Sequence, residues 1–136
     1  MGSVAMILLD THVLVWLSVR PEKLSRTAAS AIRKARNSDG LAIADITLWE
    51  LASLMIRGAL RVFGTVDQTL EKLLNSTGVV IRPITPQIAT LAAQFPHEYP
   101  HDPADRLIGA TARAEGIALV TRDDRIRNSP LVKTIW

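Results

Sequence analysis

Short apolar runs alternate along the chain with segments whose apolar residues recur every three or four positions. The runs at residues 6–9, 41–44, 79–81, 117–120 and 131–135 predict five β-strands. The segments at residues 24–35, 48–56, 66–74, 88–93 and 104–114 have the spacing of helices with one buried face. Such alternation is typical of βαβ units, and strands without period-two alternation belong in a parallel sheet covered on both faces. The pattern therefore predicts an α/β protein, a three-layer α/β/α sandwich around a five-stranded parallel sheet.

The chain length favours a single domain. The sequence has 136 residues, and no internal repeat, low-complexity tract or compositional shift marks a boundary within it. We expect residues 1–136 to form one domain, with residues 1–5 a tag remnant or a ragged native start. The longest loop signal, FPHEYPH at residues 95–101, predicts a surface connection.

Composition excludes several classes of protein. With 48% apolar and 21% charged residues, the chain is neither disordered, collagen-like nor built from heptads. The absence of cysteine excludes a disulfide framework, a zinc finger, an iron–sulfur site and thiol catalysis. No apolar run approaches the roughly 18 residues of a membrane span, and the N-terminus lacks the basic region of a signal peptide. We expect a soluble, cytoplasmic protein with no membrane association.

Four acidic residues are predicted to meet at one edge of the sheet. Asp10 ends the first apolar run, and Asp123 follows the fourth. Glu50 and Asp105 occupy the predicted first turns of the helices that follow the second strand and precede the fourth. Because the carboxyl ends of parallel strands share an edge, these four side chains are expected to converge.

Each acid also has a purely structural interpretation. Thr47 and Glu50 have the spacing of a capping box, in which the Glu50 side chain accepts from the Thr47 backbone N–H. Asp102 followed by proline is typical of a helix start, which leaves Asp105 where an acid complements the helix dipole. Asp10 and Asp123 follow predicted strands, where aspartate is a common turn residue. These separate explanations do not account for all four acids at one edge.

Clustered carboxylates require a counter-charge. Two carboxylates 4 Å apart repel by roughly 4 kcal/mol at an effective dielectric constant near 20. Mg²⁺ offsets such repulsion with one or two carboxylates, several waters and a substrate phosphate, and Mn²⁺ is a plausible substitute. Zinc is disfavoured because cysteine is absent and His12, His97 and His101 are not spaced as a chelating pair. A metal-activated water in such a site hydrolyses phosphodiester bonds.

Four segments together resemble the PIN-domain ribonucleases, and within them the VapC-type toxins of type II toxin–antitoxin pairs. The segments are LLDTHVLVW at 8–16, TLWELA at 47–52, HDPADRLIGATA at 101–112 and LVTRD at 119–123. The resemblance implies a five-stranded parallel sheet and Mg²⁺- or Mn²⁺-dependent endonucleolytic cleavage of RNA. It also implies a homodimer and inhibition by a cognate antitoxin protein.

The resemblance assigns roles to individual residues by position. The catalytic and metal-binding residues it implies are Asp10, Glu50, Asp105 and Asp123, with Asp10 and Asp105 foremost as direct ligands. Thr11 and Thr121 would support these acids by hydrogen bonding. Asp102 is interpreted as a helix cap and Asp124 as a solvated residue. Ala104 stands where many members carry an aromatic residue, which affects local packing rather than chemistry.

The charge balance agrees with an anionic substrate. The chain has 16 Lys and Arg against 13 Asp and Glu. When the four acids of the predicted site are set aside, the 16 basic residues exceed the remaining nine acids by seven. Four arginines lie close to the site in sequence and either contact RNA phosphates or form a solvated face. They are Arg106, Arg122, Arg125 and Arg127.

The helical segments after Asp10 and Glu50 carry more apolar residues than a thin sandwich needs. They are Leu14, Trp16 and Leu17 in the first segment and Leu51, Leu54 and Met55 in the second. Most are expected in the core, and the remainder predict either a groove for an antitoxin segment or a dimer face.

Two other functions are compatible with parts of the sequence. Aspartyl-phosphate phosphatases and receiver domains also place an aspartate after a strand, but the phosphatase needs an acid at the position of His12, and the receiver needs a paired acid near the first strand. A PIN scaffold that binds RNA or a partner without cutting is the other alternative. Its weakness is that all four acids are intact.

Overall fold

The structure is a computed structural model that describes residues 6–136, so the expectation for residues 1–5 lies outside the described residues. The strands are β1 (Ile7–Leu9), β2 (Leu41–Ala44), β3 (Val80–Arg82), β4 (Ala118–Val120) and β5 (Thr134–Ile135). The helices are α1 (Thr11–Val19), α2 (Arg26–Arg36), α3 (Ile46–Ile56), α4 (Val66–Thr77), α5 (Pro86–Gln94), α6 (Pro103–Glu115) and α7 (Asp124–Arg127), with a 3₁₀ turn at Pro21–Lys23.

All five predicted strands form one parallel sheet in the order β3-β2-β1-β4-β5. Leu8 in the central strand lies opposite Ala42 on one side and Leu119 on the other. The chain builds outward from β1 to β3 and then returns to the other side of β1 with β4. The order therefore reverses between β1 and β4, and the crevice at such a reversal is where parallel sheets place their functional residues.

Helices cover both faces of the sheet because neighbouring strand residues point to opposite sides. Leu8 and Leu119 pack in one buried cluster with residues of α5 and α6. Ile7, Leu9 and Val120 pack in a second cluster with residues of α1, α2 and α3. These two clusters confirm the predicted three-layer sandwich.

Two helices are additional to the five predicted ranges. The sequence indicates a helix after Asp10 but not its bounds, because α1 has no clear apolar period: Val13, Leu14 and Val15 are all buried. Helix α7 has four residues, too few for a period to be recognised. The predicted fifth strand at residues 131–135 is shorter in the structure, where only Thr134–Ile135 pairs with β4.

The predicted surface connection at residues 95–101 is partly wrong, because two of its aromatic side chains belong to the core. Phe95 and Tyr99 are 7% and 1% exposed, and their rings meet edge to face at 4.7 Å. Gly109 of α6 makes room for them, since a Cβ there would lie 2.1 Å from the Tyr99 hydroxyl oxygen. The connection is therefore held firmly against the helix that carries Asp105.

Arg106 reinforces this connection and does not face RNA. Its guanidinium donates to the backbone carbonyls of Ala92, Phe95, Pro96 and Tyr99 at 2.7–3.4 Å. These four bonds occupy the donors of both terminal nitrogens, which leaves only the Nε–H and no bidentate face for a phosphate. The expectation that Arg106 contacts RNA phosphates is corrected accordingly.

Candidate functional site

Asp10 lies at the switch point of the sheet and links β1 to β4. One carboxylate oxygen accepts the Thr11 backbone N–H at 2.9 Å, so Asp10 is also the N-cap of α1. The other oxygen accepts the Thr121 hydroxyl at 2.7 Å, and the Asp10 backbone N–H donates to Val120 at 3.0 Å. Strand pairing and capping together fix this carboxylate at the carboxyl edge of the sheet.

Glu50 is held by hydroxyl groups rather than by its own helix. Helix α3 begins at Ile46 with Asp45 as N-cap, so the capping-box interpretation of Thr47 and Glu50 is wrong and Glu50 lies beyond the first turn. The Thr11 hydroxyl donates to Glu50 and lies 3.0 Å from the Thr47 hydroxyl. Because Thr11 has one hydroxyl proton, Thr47 must donate to Thr11. This buried chain of hydroxyls holds Glu50 toward Asp10.

Asp105 sits in the first turn of α6, as predicted. Asp102 caps this helix, accepting the backbone N–H groups of Ala104 at 2.8 Å and Asp105 at 3.4 Å. The Asp105 carboxylate accepts no hydrogen bond from any residue between Met6 and Trp136. It is thus a half-buried acid whose oxygens are available to a ligand.

Asp123 begins α7 and is partly engaged by it. One oxygen accepts the Arg125 backbone N–H at 2.9 Å, and the other meets the Arg125 guanidinium at 3.3 Å. Its neighbour Asp124 points outward, with a side chain 84% exposed and paired with Arg127 at 3.2 Å. Asp124 is thus a solvated residue, as interpreted from the sequence, whereas Asp123 lines the pocket with Asp10.

Burial and the charge of neighbouring carboxylates make ionisation of Asp10, Glu50 and Asp105 unfavourable. Burial raises the pKa of Asp10 and of Glu50 above their ordinary values, more than their hydrogen bonds lower it. Burial, together with the negative charge of its neighbours, raises the pKa of Asp105 to about 7. Those neighbours are Asp10, Asp102, Asp123 and Glu50, in decreasing order of effect. The four predicted acids thus share one electrostatic environment, which Asp102 also enters.

Two pockets that share His12 adjoin three of the four predicted acids, and Asp105 lines neither of them. One is lined by Asp10, His12, Val13, Trp16, Arg122 and Asp123. The other is lined by Thr11, His12, Trp49, Glu50, Ser53, Leu54, Arg57 and Asp102. His12, Trp49 and Arg57 line these pockets but are not among the residues that the sequence predicts for the site. His12 and Trp49 are close in sequence to Asp10 and Glu50, and Arg57 lies at the end of the helix that carries Glu50. This proximity becomes informative only when the exposed face of each helix is known.

The four acids are spread more widely than a single shared metal site would require. Across residues 6–136, no three Asp, Glu or His side chains stand close enough to enclose one ion. Thr11 holds Glu50 on one side of the site, while α7 holds Asp123 on the other. His97 and His101 were not expected to form a chelating pair, yet their rings lie 4.5 Å apart. Both residues are exposed, and within residues 6–136 no third ligand completes a metal site with them.

The donor set nevertheless fits a hard divalent cation. Within the described chain Asp10, Glu50 and Asp105 have no salt-bridge partner. Mg²⁺ prefers oxygen ligands and retains several waters, so one or two carboxylates suffice for direct contact and the others act through water. The open, oxygen-only arrangement suits such an ion better than Zn²⁺.

The sequence matches the PIN domain family over residues 7–130, nearly the whole described chain. The chain belongs to the PIN-domain family. This PIN domain is also 41% identical to ribonuclease VapC22 of Mycobacterium tuberculosis over 132 residues, which cover 96% of this chain and 98% of the relative. The predicted family resemblance is confirmed.

Solved structures share the fold of this PIN domain. VapBC2 from Rickettsia felis, bound to a DNA fragment from its promoter, superposes with a TM-score of 0.69 at 17% identity, covering 95% of this chain and 96% of that one. A toxin–antitoxin complex from Klebsiella pneumoniae gives 0.60 at 25% identity, covering 91% and 92%. Among the described residues of this PIN domain, none of the helices has the length and apolar character to cross a membrane.

Proposed function

We propose that this PIN domain is a metal-dependent endoribonuclease, the toxin of a toxin–antitoxin pair, acting in the cytoplasm. The observation that carries the proposal is the group of half-buried carboxylates at the switch point, where burial and then the neighbouring negative charges raise the pKa of Asp105 to about 7. Such a cost of ionisation is typical of a site that a ligand completes. Similarity to a ribonuclease over nearly the full length supports RNA as the substrate.

Asp10 and Asp105 would hold Mg²⁺ or Mn²⁺ directly, with Glu50 and Asp123 contributing through water. When bound, the cation activates a water and stabilises the negative charge that develops on the phosphate. Thr121 and Thr11 orient the carboxylates of Asp10 and Glu50 through their hydroxyl groups. One Glu50 oxygen is occupied by Thr11, and the second is left to accept the proton that the attacking water loses.

Cations next to the acids help an anionic substrate to approach. Arg125 and Arg127 are each paired with a neighbouring aspartate. Arg122 lines the Asp10 pocket and forms no salt bridge with any residue from Met6 onward. Of the four arginines considered from the sequence, Arg122 is therefore the best placed to meet an RNA phosphate.

The protein partners in this proposal are a cognate antitoxin and a second copy of the chain. Leu14, Leu51 and Met55 are core residues, as expected. Large apolar side chains are nevertheless exposed on the surface, and they support a protein-binding role. They are Val19, Trp49, Ile56, Phe63, Val80, Ile81 and Ile84. Sedimentation equilibrium tests the homodimer, and the mass of one chain over a wide concentration range would contradict it.

Incubation of the purified chain with a single-stranded RNA tests the proposed reaction. Because water is the nucleophile, the expected products carry 5′-phosphate and 3′-hydroxyl ends, form in Mg²⁺ or Mn²⁺ and disappear with EDTA. The Asp124→Asn variant is the matched control, since Asp124 is a solvated neighbour of the site, and it should cleave like the wild type.

Two results would contradict the proposed reaction. Products with 2′,3′-cyclic phosphate ends would show attack by the ribose hydroxyl instead of water. RNA that binds but stays intact with either metal would favour the scaffold that binds without cutting.

A further inference from the structure

The pocket beside Asp10 has an aromatic wall. Trp16 lies one helical turn after His12 on α1, and the two rings are 6.1 Å apart. The Trp16 indole packs against Trp136 at 5.9 Å, yet it is only half-buried and lines the pocket with Asp10. Packing thus fixes the orientation of a flat ring that stays partly accessible next to the acids.

Two cations stand near the same ring. The Arg122 guanidinium lies 6.0 Å from the Trp16 ring centroid and the Lys23 ammonium 5.9 Å. Neither forms a salt bridge in the described part of the chain. A flat aromatic surface and unpaired positive charge therefore adjoin a carboxylate site.

We propose that His12, Trp16 and Arg122 form a subsite for one unpaired nucleobase and its phosphate, next to the bond that is cut. This inference rests on the proposed RNA-cleaving function. The indole stacks on the base, which every nucleobase permits because each has a π-face. The guanidinium donates to the phosphate that follows, in the geometry for which arginine is suited. His12 also lines the neighbouring pocket to which Glu50 belongs, so the subsite adjoins Glu50.

The subsite explains two features that the acids alone leave open. A polyanion must approach a group of carboxylates, and Arg122 supplies an opposing charge beside Asp123. A base can stack on Trp16 only when it is not paired, so the subsite selects single strands and loops. Trp49 also lies near Glu50 and is 65% exposed, but within residues 6–136 no cation stands over its ring. The geometry therefore favours Trp16 as the stacking residue.

Fluorescence anisotropy with a labelled, unstructured ten-nucleotide RNA tests the subsite. Every protein carries Asp105→Asn, so that the RNA stays intact in Mg²⁺. Adding Trp16→Leu, which keeps apolar packing but removes the stacking face, should weaken RNA affinity about tenfold. Trp16→Phe should restore most of the loss. Phe63→Leu is the matched control, because Phe63 is an exposed aromatic residue with cations over its ring that lines neither pocket beside the acids, and it should bind RNA normally.

Arg122→Gln gives a second test that does not disturb the core, because Arg122 is exposed. We expect weaker RNA binding and a salt dependence of log affinity reduced by about one unit of slope. Arg127→Gln, which removes an exposed arginine already paired with Asp124, should leave both quantities unchanged.

The outcomes separate this inference from the proposed function. RNA affinity unchanged in a folded Trp16→Leu protein, or in Arg122→Gln, would overturn the subsite even if the wild type cleaves RNA. Conversely, weaker binding in both variants supports the subsite even if the wild type proves unable to cut, in which case the proposed cleavage alone would fail.

Discussion

Replacing Asp10 with asparagine is expected to slow RNA cleavage by about 10²–10³-fold while leaving the fold intact. A metal–carboxylate interaction that stabilises the transition state contributes several kcal/mol, and each 1.36 kcal/mol changes the rate tenfold. Asparagine keeps the oxygen that accepts the Thr11 backbone N–H, and its amide nitrogen takes the place of the oxygen that accepts from Thr121, so that it donates to the Thr121 hydroxyl instead. Because burial raises the pKa of Asp10, removing its charge should not destabilise the metal-free protein.

The measurement for Asp10→Asn is the single-turnover cleavage rate in Mg²⁺, with circular dichroism to verify folding. Asp124→Asn serves again as the control and should cleave within about twofold of the wild type, since surface changes away from a site have small effects. Wild-type cleavage rates in a folded Asp10→Asn protein would remove Asp10 from the reaction.

The second large expected effect is that of pH on the free energy of unfolding through Asp105. Its sign is opposite to that of an ordinary carboxylate, whose ionisation stabilises the folded state. The pKa of Asp105 is about 7 in the folded chain, against a model-compound value of 3.8. The folded state therefore holds an extra proton between these values, and raising the pH through this interval lowers the free energy of unfolding. Because the carboxyl is only half-buried, solvent screening limits the loss to about 1–2 kcal/mol.

Asp105→Asn cannot ionise and should avoid this loss. In EDTA at pH 8, urea unfolding should show the variant to be about 1 kcal/mol more stable than the wild type, whereas at pH 5 the two should agree closely. Adding Mg²⁺ at pH 8 should stabilise the wild type more than the variant. Greater metal-free stability of the wild type at pH 8 would contradict the proposed crowding of negative charge.

The fold was largely readable from the sequence because strands buried on both faces appear as uninterrupted apolar runs. The boundaries of β2 agree with the predicted run at residues 41–44. Helix α1 was harder to delimit, since a helix packed on several sides loses its apolar period. Tyr99 was placed in a surface connection because its burial depends on the space left by Gly109, which is a tertiary feature.

The sequence predicts the position of those site acids that follow a strand or begin a helix. Asp10 and Asp105 lie where the pattern placed them, and Asp102 caps α6 as expected. The start of α3 at Ile46 was not predicted, because Thr47 looks like a helix cap in the sequence. Its hydroxyl instead bonds to Thr11, 36 residues away, and a contact at that separation leaves no local sequence pattern. The role of Arg106 could not be predicted for the same reason, because the carbonyls that it contacts belong to another helix and the loop that follows it.

Mn²⁺ binding measured by electron paramagnetic resonance tests the central claim most directly, because free Mn²⁺ gives a signal that bound ion does not. The account predicts that the wild type and Asp124→Asn bind Mn²⁺ alike, and that the double variant Asp10→Asn/Asp105→Asn binds at least about tenfold more weakly, equivalent to about 1.4 kcal/mol. Equal Mn²⁺ affinity in the wild type and the double variant, or no binding by the folded wild type, would contradict it.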